Sequence, residues 1–109
     1  MSDIKDEAKI KKLAAKRKSD AIIKMMNKSN PEVTAVCLAA LAEINDEAAC
    51  NAISHCLDDA DNSIRIAACK AALVINTDYM KTHIRYLLSK EKDEAFKAQV
   101  QELVNASNR

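Results

Sequence analysis

The sequence predicts an all-α fold, a short α-solenoid in which antiparallel helix pairs stack at a 31-residue period. Three observations carry that expectation. The stretch 33–44, VTAVCLAALAEI, has relatives at 64–75 and 95–106. Apolar residues fall at matching offsets in these copies: Val33, Ile64 and Ala95; Val36, Ala67 and Ala98; Leu38, Cys69 and Val100; Leu41, Ala72 and Leu103. The segments between them keep the same spacing through Ile22, Ile53 and Ile84, through Met25, Cys56 and Leu87, and through Met26, Leu57 and Leu88. Self-similarity at such a period marks stacked units, each too small to bury its own apolar face. Finally, the 109 residues include no Gly and one Pro, so the residues that hairpins use for positive φ are lacking.

The length suits one domain with a modest core. That core must be aliphatic, because 49% of the residues are apolar while only Tyr79, Tyr86 and Phe96 are aromatic. Cys37, Cys50, Cys56 and Cys69 lie in helical patterns rather than in loops, so they read as free, buried thiols and not as a disulfide framework. The first twelve residues have no apolar secretory region, and no run approaches bilayer length. The expectation is a soluble, cytoplasmic protein with no membrane contact.

Taken in order, residues 1–30 hold nine Lys or Arg and four acids and read as one long helix, or two with a slight bend where Ser19 or Asp20 caps a second start. Their apolar half supplies the second helix of a degenerate first repeat. Asn30 is a natural N-cap, Pro31 suits the first helical position and Glu32 meets the positive end of the dipole, so a helix starts there and closes at Ile44. The run 45–47 is a turn and a new start, and the second helix of this repeat, 31–61, ends near Leu57 or Ala60. Residues 61–63 restart the pattern for the repeat 62–92, with its internal turn at 76–78, and 91–93 open the C-terminal capping helix, 93–109. The predicted layout is helix B, two A–B pairs and a lone A.

Charge alternates along this layout. The net is +5 in 1–30, −7 in 31–61, where no Lys or Arg occurs, +4 in 62–92 and −1 in the tail. Adjacent layers of opposite sign attract weakly through screening solvent. In the last repeat, Gln99, Glu102 and His83 replace the apolar residues of earlier copies (Cys37 and Ala68; Ala40 and Ala71; Ala21 and Ala52). These positions are expected to face the next unit, so their polarity caps the array and favours a monomer.

The string V-x-x-V-C-L-x-A-L-x-x-I, with Asp59 ahead of Ile64-Arg65-x-Ala67-Ala68-Cys69-x-Ala71, resembles the HEAT repeat, in particular the short variety named after phycobilisome lyase. The resemblance covers residues 15–109. It departs where Thr34 and Phe96 replace the Arg, Lys28 and Lys90 the Asp, and Ala42 and Leu73 the usual Gly. It implies an Asp–Arg polar pair in the middle repeat and a right-handed superhelix. A helices would form its convex side and B helices its concave, partner-binding side.

On that implication the binding strip combines Ile23, Lys24 and Asn27 with Asn51, Ser54, His55 and Asp58 and with Arg85, Tyr86 and Ser89. Lys24, Asn51, His55, Asp58, Arg85 and Tyr86 are its core, since Tyr and Arg are over-represented among interface anchors. Helix axes about 8–10 Å apart make the strip suitable for a short peptide or one partner helix. The alternative for each residue is a solvated polar face. His55 beside Cys56 is no metal or nucleophile pair, because neighbours on a helix point about 100° apart. No metal-ligand spacing or catalytic triad is legible, so neither enzyme chemistry nor a cofactor is expected. The basic run Lys9, Lys11, Lys12, Lys16, Arg17 and Lys18 spreads around its helix and reads as a solvated surface. The sequence therefore points to a non-catalytic adaptor for a protein or peptide. A nucleic-acid-associated module using the basic N-terminal helix is one alternative, and a lyase-like or chaperone-like accessory unit is another.

Overall fold

The computed structural model describes residues 2–26 and 30–108. Seven α-helices occur among them and no strand: α1 Ser2–Ala15, α2 Ser19–Met26, α3 Pro31–Ile44, α4 Glu47–Leu57, α5 Asn62–Ile75, α6 Asp78–Lys90 and α7 Glu94–Ser107. The odd-numbered helices pack in sequence as one layer, α1 on α3, α3 on α5 and α5 on α7. The layer of α2, α4 and α6 lies beside it, and α2 and α4 each lean on the odd-numbered helix that follows. This is a short α-solenoid of helix pairs.

Side-chain caps set the starts. Asn30 accepts from Val33 N–H at 2.9 Å, Asp46 from Ala49 at 2.8 Å, Asp61 from Ser63 at 2.8 Å, Thr77 from Met80 at 3.2 Å and Asp93 from Ala95 at 3.0 Å. Each satisfies a donor that the first turn leaves open. Two A helices end on asparagines in the left-handed region, Asn45 at φ 52° and Asn76 at φ 59°. In a chain without glycine, asparagine is the residue that tolerates this conformation best.

The N-terminal segment is not one gently bent helix. Arg17 adopts φ 57°, Lys18 N–H donates to the Leu13 carbonyl and Arg17 N–H to the Ala14 carbonyl, both at 2.9 Å, which closes α1 sharply. Ser19 is not a cap either. It is buried, and its hydroxyl donates to Asp46 at 2.6 Å, while Arg17 Nη2 donates to the Ile44 carbonyl at 2.8 Å. These two bonds fasten the α1–α2 corner to the α3–α4 turn, across the step from +5 to −7. Nor does α1 extend a B helix: it packs on α3 as an A helix, with fully buried Ile10 one period before Leu41.

The core is aliphatic and cysteine-rich, as composition requires. Ile10, Ile22, Leu38, Leu41, Ile53, Leu57, Cys37, Cys69 and Val100 are fully buried, and Phe96 is the one large aromatic among them. Burying side chains of this size stabilises by about 1.5–3 kcal/mol each before entropy is counted. The Asp59–Arg65 pair implied by the resemblance does not form. Asp59 accepts from Asp61 N–H at 2.9 Å instead, while Arg65 reaches forward to Glu91 at 2.6 Å, hydrogen-bonds Asn62 and lies over Phe96. Thr34, in the register of Arg65, is buried and donates to the Met26 carbonyl at 3.5 Å.

The capping expectation is corrected in direction. His83 points back to α4, where its Nε2 lies 3.1 Å from Asp58 Oδ1. Ala40 borders α1 and Ala71 borders α3, so the column ending in Glu102 faces the preceding unit. On α6 it is Lys81 and Arg85 that turn toward α7, in the registers of Cys50 and Ser54. The lone helix α7 buries Phe96 and Val100 and leaves Gln99 and Glu102 exposed.

Candidate functional site

All six residues singled out above are exposed: Lys24 on α2, Asn51 and His55 on α4, Asp58 at its C-cap, and Arg85 and Tyr86 on α6. Asn27 lies outside the described residues. Helical spacing brings Asn51 and His55 onto one face of α4, four residues apart. They border a hollow of about 470 Å³ whose apolar lining is Ile23, Met26, Ala52, Cys56 and Ile64, with Asp59 at its edge. Ala48 also lines a second hollow that extends past Ser19 and Asp46 to Lys24. Lys24 is therefore continuous with Asn51 and His55 across the α2–α4 surface.

Asp58 is the link to α6 through His83. Tyr79 meets the His83 ring edge-on, with centroids 6.2 Å apart and planes at 86°. Tyr86 lies seven residues after Tyr79, on the same side of the helix, and carries Lys90 Nζ 5.5 Å from its ring centroid. Tyr79 and Tyr86 are 64% and 60% exposed, an unusual display for the only two tyrosines of the chain. Sequence reasoning selected Tyr86 and passed over Tyr79 and His83. Their i, i+4, i+7 spacing was the available signal. Arg85, by contrast, stands about 100° around α6 from Tyr86 and opens onto a different hollow, toward α7. Arg85 therefore faces a different part of the surface from Lys24, Asn51 and His55.

His55 and Cys56 diverge as helix geometry requires: His55 is exposed and Cys56 is buried. Burial, then the Asp59 carboxylate, pushes the Cys56 thiol up to about 11. Burial, then Asp6, does the same to Cys37 at about 11. Cys69 is raised to about 11 by burial against the opposing pull of Arg65. Cys50 is raised by burial and by Asp46. All four thiols are free and protonated near neutrality. Among the described residues no group of three or more His, Cys, Asp or Glu is placed to hold a metal ion. No described helix is long and apolar enough to cross a membrane.

The basic run is exposed at Lys9, Lys11, Lys12, Lys16 and Lys18. Lys11 pairs with Glu7 at 3.5 Å, and Arg17 is tied to Ile44, so the run does not converge on a single patch.

A family profile described as HEAT repeats matches residues 19–104. No curated protein and no solved structure matches the chain.

Proposed function

The chain belongs to the HEAT repeat family, and from that premise we propose that it is a non-catalytic protein-interaction scaffold that works as a monomer and binds a peptide or a single helix across α2, α4 and α6. Lys24, Asn51, His55, Asp58 and Tyr86 are its contact residues, Tyr79 joins them, and Arg85 marks the edge. The observation that carries this reading is the α2–α4 hollow, where an apolar lining sits under the polar pair Asn51 and His55. Concave, mostly apolar ground with a few oriented polar groups is where binding energy concentrates. The longest dimension of the molecule is 36 Å, so the strip fits a few helical turns rather than a folded domain.

The test compares affinity capture from the native host by the natural chain and by the variant His55→Glu with Tyr86→Ala. Loss of the captured proteins, with an unchanged melting curve, is expected. Equal capture by both would overturn the reading. Light scattering should give a mass near 12.0 kDa at all concentrations.

A further inference from the structure

We propose that the hollow between α5, α6 and α7 is a second binding site, which takes the C-terminal aliphatic residue of a peptide and holds its free carboxylate with Lys81 and Arg85. This site shares only the marginal Arg85 with the B-helix strip and does not depend on binding there.

The hollow encloses about 150 Å³, lined by Leu73, Ile84, Leu88 and Val104 at its apolar base. It exists because α6 and α7 do not pack closely as the earlier helices do. The inward face of α7, anchored by Phe96 and Val100, brings Val104 opposite Ile84 and Leu88 without filling the space between them. A volume of that size admits one aliphatic side chain.

Lys81 and Arg85 stand four residues apart on α6, on the same face, with Cβ atoms about 5–6 Å apart. Both line the hollow. Neither has an ion-pair or side-chain hydrogen-bond partner among the described residues. Arg65, by contrast, is held by Glu91, Asn62 and Phe96, with only its buried Nε left without a hydrogen-bond partner. Two unneutralised cations next to an apolar cavity call for an anion joined to a short apolar group. A chain-terminal carboxylate one bond from an aliphatic side chain has that chemistry, and charge-assisted N–H···O bonds are the strong ones. Asn76 and Gln101, which also line the hollow, offer amide groups to the peptide backbone that precedes the terminal residue. A free fatty acid has no use for them.

The experiment is an amide-resolved NMR titration of the full chain with acetyl-Ala-Ala-Gly-Ala-Ala-Leu, as the free acid and as the C-terminal amide. A third arm uses octanoate. The acid should bind about tenfold more tightly than the amide, with shifts gathered at Leu73, Ile84, Arg85 and Val104 and none at Asn51 or His55. Lys81→Gln and Arg85→Gln should each weaken the acid and leave the amide unchanged, with melting curves like that of the natural chain. Equal binding of acid and amide, or shifts gathered elsewhere, would overturn the proposal. Octanoate binding as tightly as the peptide at the same residues would overturn the assignment to a peptide terminus. Because mapping uses the natural chain, the result stands even where a variant fails to fold.

Discussion

The guanidinium carbon of Arg65 sits 3.9 Å from the centroid of the Phe96 ring, and the two residues occupy the same register one repeat apart. The position that holds an arginine in one layer holds, in the next, the aromatic surface on which that arginine rests. With Glu91 also held at 2.6 Å, the side chain bridges α5 to the start of α7. A cation over a desolvated ring is worth about 0.5–2 kcal/mol. A double-mutant cycle with Arg65→Lys and Phe96→Leu should therefore return a coupling of about 1 kcal/mol by chemical denaturation. Additive effects would mean that the contact is geometric only.

Acid should loosen the same junctions. The Arg65 hydrogen bond, then the Asp93 N–H, holds the Glu91 carboxyl below its ordinary 4.5, and the Ser19 hydroxyl, then the Ala49 N–H, holds Asp46 below 3.8. Folded values lower than unfolded ones give stability that is present above the unfolded pKa and lost as pH falls through the folded one. The melting temperature should therefore start to fall as pH drops below about 4.5. Glu91→Gln should flatten the upper part of that fall, and a variant with the natural slope would contradict the assignment.

Arg17 combines a strained backbone with a useful side chain. Its left-handed φ costs a non-glycine residue about 1–2 kcal/mol, while Nη2 holds the Ile44 carbonyl at 2.8 Å. Arg17→Ala loses the bond and keeps the strain, whereas Arg17→Gly loses the bond and relieves the strain. The alanine variant should be less stable than the glycine variant by about 1 kcal/mol, measured by urea unfolding. The reverse order would show that the turn is not held in this conformation.

The thiols give a kinetic prediction. With Cys37, Cys56 and Cys69 raised to about 11 by burial, only the half-buried Cys50 should react promptly with a thiol reagent at pH 8, and denaturation should release the other three. Folded thiol values above the unfolded 9.0 also mean that stability is intact below pH 9 and declines as pH rises toward about 11. Four fast thiols in the native protein would contradict the burial described.

Helix starts from α3 onward were legible because each rests on a local device, such as the Asn30 cap or the Asp93 cap, that the sequence displays. The break between α1 and α2 was not. Residues 16–18 contain no Gly, Pro or Asn, and the left-handed Arg17 is held by a bond to Ile44, 27 residues away, that no local rule reveals. Ser19 looks like a cap for the same reason, since its true partner is Asp46. Periodicity told which side chains share a face, not which neighbour that face meets. The columns of His83 and Glu102 were consequently assigned to the next unit when they turn to the preceding one. On the candidate strip, Asn51, His55 and Tyr86 followed from B-helix spacing. Arg85 is adjacent to Tyr86 in sequence, but a turn of about 100° on the helix points it toward α7.

Asn45 and Asn76 stand 31 residues apart in matching left-handed turns, each followed at once by the N-cap of a B helix, Asp46 or Thr77. A chain cut at one turn and rejoined at the other meets the same backbone geometry on both sides of the seam. Residues 46–76 are thus a cassette, exchangeable without designing a new junction. Tandem copying of it lengthens the array by one layer at a time, so that span becomes a matter of copy number.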